Sequence, residues 1–229
     1  MKALGIIPAR GGSKTIPRKN LVPLLGRPLI SYTFQAAKQS QLLDRLILST
    51  DDEEIAAFAR SEGIEVPFMR PPSLAGDTAS MLPVLQHVLE ALLPYRPDVL
   101  VLLQPTSPLR TAEHIDAAIR LMQEQAADSV VTVVEVPHQF NPVSVMLMAD
   151  GSLSPYSSGP QILRRQDKPK VYARNGPTVL VTRTEVVESG NLYGPKLLGL
   201  EMGKTDSLDI DDLDDLATAE FWLRRRGTS

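Results

Sequence analysis

Short apolar runs and longer stretches with helical spacing alternate along the first 136 residues of the chain. The apolar runs predict buried strands, and the stretches whose apolar residues recur three or four positions apart predict helices. Alternation of this kind is typical of a mainly parallel sheet with helices on both faces. The predicted strands are 3–7, 45–50, 64–68, 98–103 and 128–136, and the predicted helices are 28–40, 52–62, 82–93 and 113–125.

The pattern changes at residues 137–177, which contain many prolines and glycines and show no clear period. A structureless loop of this length is improbable inside a compact domain, and the segment is too apolar for a disordered linker. We therefore predict short strands that project from the sheet. Strands at 178–183 and 197–202 and a C-terminal helix then complete a single α/β domain that spans residues 1–229.

Composition narrows the classes of function. A chain of 229 residues with 43% apolar content suits one large α/β domain. Its net charge of −3 gives no general attraction to nucleic acid or to anionic membranes, so a nucleotide is favoured as the ligand. The absence of cysteine excludes disulfides and thiolate metal sites. No stretch reaches the roughly 20 apolar residues that span a bilayer and no targeting segment is visible, so we expect a cytoplasmic protein.

The loop after the first predicted strand is the first candidate for chemistry. Its adjacent glycines, Gly11 and Gly12, permit positive φ, so that consecutive N–H groups can turn toward one anion. The loop matches neither the Walker pattern nor the dinucleotide fingerprint, because the glycines are adjacent and a Lys-Asn pair closes it. A surface turn with solvated charges is the alternative interpretation. The glycines lie among four basic residues, Arg10, Lys14, Arg18 and Lys19.

Further candidates lie after the central strand and before a helix. Ligands of open α/β sheets collect at the carboxyl ends of the strands, where Gln104 and Arg110 follow the apolar run 99–103. The amide of Gln104 can donate and accept, whereas Arg110 can only donate. A rigid turn that caps the next helix is a compatible alternative. Thr78 and Ser80 precede the helix at 82–93, so that they either cap it or let its N–H groups face a ligand.

An acidic segment near the C-terminus contains Asp209 and Asp211. If the segment is extended, these alternate positions project from the same side and their carboxylates converge. Two carboxylates together with phosphate oxygens suit Mg²⁺. The acidic residues that follow, at positions 212, 214 and 215, are explained adequately by the dipole of the last helix.

Two long stretches give the chain a family resemblance. Residues 8–14 (PARGGSK) with 16–21 (IPRKNL), and residues 103–110 (LQPTSPLR), resemble the signatures of the acylneuraminate cytidylyltransferase family, which makes CMP-activated sialic acids and related sugars. The resemblance implies a Rossmann-like fold of the nucleotide-diphospho-sugar transferase type. It also implies that residues 137–177 form a protruding dimerisation arm, and that the protein is a homodimer in which the dimer helps to form the sugar pocket.

The resemblance further implies the substrates, the cofactor and the roles of individual residues. CTP and a nonulosonic acid are the implied substrates, and Mg²⁺ is the implied cofactor, with Asp209 and Asp211 as its ligands. Asp211 is also a candidate for the base, a role that the sequence does not separate from metal binding. The implied catalytic residues are Arg10, Lys19 and Asp211; the nucleotide-binding residues are Ala9, Gly11, Gly12, Ser13, Asn20, Ser80, Gln104 and Arg110; and the sugar-binding residues are Gln104, Arg165, Arg174 and Asn175.

Two departures from the family pattern concern the sugar side. The family commonly has a lysine where this chain reads HQFNPV at 138–143, and an arginine where this chain has Ala173, with Arg174 as the candidate substitute. The identity of the sugar acid therefore stays open. The alternative functions are a cytidylyltransferase for an eight-carbon ulosonic acid, a nucleotide pyrophosphohydrolase and a non-catalytic nucleotide-binding protein.

Overall fold

The computed structural model of the chain describes residues 1–76, 79–158, 162 and 164–227. The helices are α1 (Ile30–Gln39), α2 (Glu53–Ser61), α3 (Met81–Ala91), α4 (Ala112–Gln125), α5 (Thr184–Glu188) and α6 (Leu213–Arg225). The strands are β1 (Ala3–Pro8), β2 (Pro23–Leu24), β3 (Arg27–Pro28), β4 (Arg45–Ser49), β5 (Val99–Leu102), β6 (Ser129–Glu135), β7 (Met146–Ala149), β8 (Ser152–Pro155), β9 (Tyr172–Arg174), β10 (Leu180–Arg183) and β11 (Leu197–Glu201).

The main sheet has seven strands, in the order β11-β6-β10-β5-β1-β4, with β9 paired to the end of β6. The pairs β1 with β4, β1 with β5, and β11 with β6 are parallel. Strand β10 runs antiparallel to both β5 and β6, and β9 is antiparallel to β6. The predicted mainly parallel α/β sheet is therefore confirmed.

Helices cover both faces of this sheet because its central strands are apolar on both sides. Every residue of β1 and of β5 is buried. One apolar cluster joins alternate strand residues to α1, α2 and α4, with Phe34 and Ile119 as members. A second cluster on the opposite face joins the other strand residues to α3 and α5 through Leu85 and Val187. Burial of each such large side chain stabilises the fold by about 1.5–3 kcal/mol.

Two predicted elements differ from the structure. Residues 64–68 form no strand: Glu65 makes an isolated bridge to Ile47 of β4, and Met69 makes a second one to Thr50. Pro67 has no N–H group to continue a ladder. Pro28 is not in the first turn of a helix; it pairs with Pro23 in the β2–β3 hairpin, and α1 begins at Ile30. Gly26 adopts a φ of 76°, which allows the tight turn between β2 and β3.

Within residues 137–177, strands β7 and β8 form a separate two-stranded sheet, whereas β9 joins the main sheet. Every residue of both strands is exposed. We call the hairpin from Met146 to Pro155 the arm. None of the described helices has the length and apolar content that would let it cross a membrane.

Candidate nucleotide site

A cavity of about 310 Å³ opens where β1 and β5 end. The carboxyl ends of parallel strands leave space for loops at the same edge, which is where ligands bind in such folds. The loop after β1, the segment before α3 and the loop after β5 all contribute to it. The described lining residues are Pro8, Arg10, Gly12, Ser13, Lys19, Asn20, Arg70, Leu74, Gly76, Ala79, Met81, Val84, Gln104, Pro105 and Thr106.

Gly11 allows a close approach between the loop and the end of β4, whereas the space around Gly12 is open. Neither Gly11 nor Gly12 adopts a positive φ, so the expectation that they use this region is wrong. A Cβ on Gly11 would lie 2.5 Å from Oδ2 of Asp52, and the Gly11 N–H donates to Asp51 Oδ1 at 3.1 Å. Glycine is therefore needed at this position because the loop packs directly against the end of β4.

Other side chains of the loop hold its shape. Arg18 has the positive φ, 54°, and its guanidinium binds Asp52 at 2.7 Å and Glu54 at 2.6 Å outside the cavity. Asn20 Nδ2 donates to the carbonyl of Arg10 at 2.9 Å, which closes the loop across its base. Ala9, which was assigned to the nucleotide, is fully buried and lies outside the described cavity lining.

The basic loop meets the acidic segment from the far end of the chain. Lys19 Nζ donates to the carbonyl of Ile210 at 2.7 Å and to that of Asp211 at 3.3 Å, and lies 3.8 Å from Asp211 Oδ1. Ile16 and Ile210 belong to one buried apolar cluster, which fastens the two segments together. The structure thus brings Lys19 and Asp211 to one edge of the cavity.

The two carboxylates of the acidic segment differ in environment. Oδ1 of Asp209 is buried and makes no hydrogen bond of good geometry, although the Thr106 side chain lies close enough to lower the pKa of this carboxyl against the effect of burial. The side chain of Asp211 is 82% exposed. Burial raises the pKa of Asp209, and the negative charge of Asp211 acts in the same direction. A cation at this position would satisfy the orphaned oxygen. The donor set fits Mg²⁺, which uses one or two carboxylates and leaves the other positions to phosphate and water.

No cluster of three or more acidic, histidine or cysteine side chains that could hold a metal occurs in the part of the chain that the structure describes. A metal held mainly by protein side chains, such as structural Zn²⁺ with four protein ligands, therefore has no site in these residues. The Asp209–Asp211 pair is compatible only with an ion that a ligand such as a phosphate helps to hold.

Gln104 and Arg110 have different positions in the loop after β5. Gln104 lines the cavity, and its Nε2 donates to the carbonyl of Gly176 at 3.2 Å. Arg110 is 3% exposed and donates to the carbonyls of Gln104 at 3.1 Å and Thr178 at 2.7 Å. Burial lowers the pKa of Arg110 to about 9, so it stays protonated at neutral pH. The structure therefore places Arg110 beneath the loop, where it supports Gln104.

The segment before α3 also borders the cavity. Ser80 occupies the N-cap position of α3, but its side chain makes no capping hydrogen bond and is not in the described lining. Met81 and Val84, from the first turns of α3, are in the lining. The helix thus begins beside the cavity, as the functional interpretation of this segment requires. Thr78, the other predicted cap, lies outside the described residues.

The residues assigned to the sugar have different surroundings in the single chain, although Gln104 contacts Gly176, which follows Arg174 and Asn175. Asn175 is buried, accepts from Thr132 Oγ1 at 2.7 Å and donates to Ser207 Oγ at 2.9 Å. The guanidinium of Arg174 stacks 5.0 Å from the ring centre of Tyr193. Arg165 lines a second cavity, of about 250 Å³, near the base of the arm. Of the four assigned residues, only Gln104 is among the described lining residues of the nucleotide cavity.

Arg70 is a cation in the cavity that sequence reasoning missed. It is 5% exposed, and its Nε donates to Ser49 Oγ at 3.1 Å while Nη2 donates to the Ser49 carbonyl. Burial lowers the pKa of Arg70 to about 10, against the opposing effect of Asp51, so it remains charged at neutral pH. The signal was its place directly after the predicted strand at 64–68, at the same edge of the sheet as Arg10 and Gln104.

Comparison with known proteins places this site in a family context. The chain is 32% identical over 223 residues to pseudaminic acid cytidylyltransferase of Campylobacter jejuni, covering 96% of each protein. It is 32% identical over 232 residues to CMP-N,N'-diacetyllegionaminic acid synthase of Legionella pneumophila, covering 96% of this chain and 95% of that protein. It is 34% identical over 220 residues to N-acylneuraminate cytidylyltransferase of Escherichia coli, and spans 51% of that relative's length.

A solved structure agrees at the level of the fold. The CMP:2-keto-3-deoxy-manno-octonic acid synthetase complexed with CTP superposes with a TM-score of 0.72 at 17% identity, covering 99% of this chain and 100% of that chain. The family model described as cytidylyltransferase matches residues 4–187, a range that contains the basic loop, Arg70 and Gln104. Since the family match includes these lining residues as well as the sheet that carries them, the chain belongs to the cytidylyltransferase family.

Proposed function

We propose that this protein transfers CMP from CTP to the anomeric hydroxyl of a nonulosonic acid, a sialic-acid-like sugar, with release of pyrophosphate. The observation that carries the proposal is the contact between Lys19 and the Asp209–Asp211 segment at the edge of the cavity. A cation for phosphate and carboxylates for a metal lie together there. Relatives named for N-acylneuraminate, pseudaminic acid and diacetyllegionaminic acid support the class of acceptor.

The cavity residues have the chemistry to hold a nucleoside triphosphate. Arg10, Lys19 and Arg70 bring three positive charges to its lining, and Ser13 and Asn20 add polar groups. In phosphoryl transfer the protein contributes mainly position and electrostatic stabilisation, so we assign Arg10 and Lys19 to the phosphates and to the departing pyrophosphate. Gln104, whose amide can donate and accept, is assigned to the nucleoside and the sugar.

Asp209 and Asp211 are the residues that would hold Mg²⁺. When bound, this ion offsets the charge of the phosphates and lowers the pKa of a coordinated hydroxyl. Oδ1 of Asp209 is buried without a hydrogen bond of good geometry, which favours it as a ligand. Asp211 has an exposed carboxylate and is also our candidate to accept the proton of the anomeric hydroxyl.

Incubation with CTP, Mg²⁺ and a panel of sugar acids tests the proposal. The panel contains sialic, legionaminic and pseudaminic acids and an eight-carbon ulosonic acid, and both pyrophosphate and CMP-sugar are measured. We expect pyrophosphate release that depends on a nine-carbon acid. Release without any sugar would identify a pyrophosphohydrolase, CTP binding without turnover would identify a non-catalytic protein, and turnover of the eight-carbon acid alone would reassign the acceptor.

We also propose that the arm pairs with a second copy of the chain. Its strands expose Leu147 at 53%, Met148 at 75% and Leu153 at 63%, and Phe140 and Tyr156 beside them are 64% and 63% exposed. Apolar surface of this kind, concentrated on one projecting hairpin, is typical of an interaction surface. A second copy would also account for the distance of Arg165 from the nucleotide cavity within one chain.

Substitution of Leu153 by aspartate is expected to convert the homodimer into a monomer, because it places a charge in the apolar contact. Light scattering coupled to size-exclusion chromatography measures the mass. Leu93→Asp is the matched control, since Leu93 is 68% exposed and lies outside the arm. A monomeric wild-type protein, or a Leu153→Asp variant that stays dimeric, would contradict the proposed pairing.

A further inference from the structure

Thr15 makes a contact that none of the assigned roles uses. Its Oγ1 donates to the main-chain carbonyl of Asp211, across a sequence separation of 196 residues. Thr15 is exposed and is not among the described residues that line the cavity. Its hydroxyl therefore contacts the main chain of the acidic segment, and Thr15 is not part of the described cavity lining.

The backbone of Asp211 is fixed at both of its polar groups, whereas its side chain is exposed and makes only a long ion pair with Lys19 among the described contacts. The Asp211 N–H donates to Asp215 Oδ2 at 2.9 Å. The Asp211 carbonyl accepts from Thr15 Oγ1 and from Lys19 Nζ. The fixed backbone therefore holds the carboxylate in place, and because the carboxylate is 82% exposed, its oxygens stay accessible to a cation.

The two donors to the Asp211 carbonyl differ in what else they must do. The ammonium of Lys19 is assigned to phosphate, and it already shares its protons between the carbonyls of Ile210 and Asp211. The hydroxyl of Thr15 has one proton and one acceptor, so its bond to Asp211 does not compete with a nucleotide. Ile16, the next residue, packs in the same buried cluster as Ile210, which keeps the pair in register.

We propose that Thr15 is a positioning residue, which sets the spacing between the phosphate loop and the Asp209–Asp211 carboxylates and thereby the affinity of the site for a divalent cation. This inference rests on the proposed function for the identity of the site. It concerns this chain's own geometry, because the hydroxyl acts on the metal only through the backbone of Asp211. The typical net contribution of one hydrogen bond predicts a moderate effect on the affinity for the cation.

Thr15→Val removes the hydroxyl and keeps the shape of the side chain. We expect roughly 3- to 10-fold weaker binding of Mn²⁺ in the presence of CTP and without sugar acid, measured by electron paramagnetic resonance, and an equal rise in the Mg²⁺ concentration that half-saturates turnover. Thr15→Ser, which restores the donor, should lie within about twofold of the wild type. Thr15→Ala is the second variant if valine impairs folding, and equal melting temperatures establish that the fold is intact.

Thr218→Val is the matched control. Thr218 Oγ1 donates to the carbonyl of Asp214 at 2.8 Å, so this variant loses the same type of bond on the exposed side of α6. Unchanged Mn²⁺ affinity in Thr15→Val, or an equal loss in Thr15→Ser, would overturn the role of Thr15 while CMP transfer stood. Weaker Mn²⁺ binding in Thr15→Val alone, in a protein that turns over none of the sugar acids, would support Thr15 and refute the proposed function.

Discussion

Replacement of Lys19 by alanine is expected to lower kcat/KM for CTP by about 10²- to 10³-fold, the usual cost of removing one preorganised charge from a phosphoryl-transfer site. The Lys19 side chain is only 13% exposed and lies at the point where the basic loop meets Asp211. Its charge would act on the triphosphate, and its loss removes the positive charge that lies 3.8 Å from Asp211 Oδ1. Steady-state pyrophosphate release with a saturating sugar acid provides the measurement.

Two companion variants separate charge from packing. Lys19→Met keeps most of the side-chain volume and removes the ammonium, so its activity should fall as far as that of Lys19→Ala. Lys38→Ala is the control, because Lys38 Nζ also donates to a distant carbonyl, that of Glu62, but lies far from the cavity. We expect its activity to match the wild type. If the melting temperature of Lys19→Met fell sharply and its activity followed in proportion, Lys19 would be a structural residue.

The sequence predicted the layered architecture because its period signals are local. The run 99–103 is apolar at every position, as a strand buried on both faces must be, and it becomes β5 at the centre of the sheet. The direction of β10 had no such signal. An alternating or apolar run reads the same way in both directions, so only its pairing with β5 and β6 makes it antiparallel.

The sequence predicted the site well where a motif determines both a residue and its neighbours. It predicted the site less well where a hydrogen-bond donor could bind either a ligand or a backbone carbonyl. Arg110 follows the central strand and was assigned to the nucleotide, yet its guanidinium is used by the carbonyls of Gln104 and Thr178. The donors of an arginine suit a ligand and a carbonyl equally, so only tertiary structure decides between them. Arg70 was missed for the related reason that it begins the irregular segment 70–80, where no periodic pattern draws attention to a single cation.

The sugar side was the least predictable part of the site. The environments of Arg165 and of the arm depend on what covers an exposed surface, and a single chain's sequence carries little information on that. Lys19 and Asp211, by contrast, meet within one chain, although they are 192 residues apart. They lie close together because Ile16, near Lys19, and Ile210, next to Asp211, pack in the same apolar cluster.

Substitution of Asp209 by asparagine is expected to lower turnover at least about 100-fold while raising the melting temperature in the absence of metal. Burial raises the pKa of Asp209 because the ionised carboxylate is solvated less well in the folded state than in the unfolded state. The negative charge of Asp209 also stabilises the positive charge of the buried Arg110, and Asp209→Asn removes that stabilisation. The net rise in the pKa of Asp209 means that the cost of burial is the larger effect.

The dependence on pH and on metal tests this balance. A carboxyl with a raised pKa contributes stability that is complete below its unfolded pKa, about 3.9, and is lost as pH rises through the folded pKa. The advantage of Asp209→Asn should therefore be greatest at neutral pH and vanish as pH approaches 4.

Millimolar Mg²⁺ with CTP should raise the melting temperature of the wild type more than that of the variant, because binding stabilises only the competent protein. Asp150→Asn, in the exposed turn of the arm, should change neither property. A lower melting temperature for Asp209→Asn at every pH would show that the orphaned oxygen has a structural partner, and full activity would remove Asp209 from the metal site.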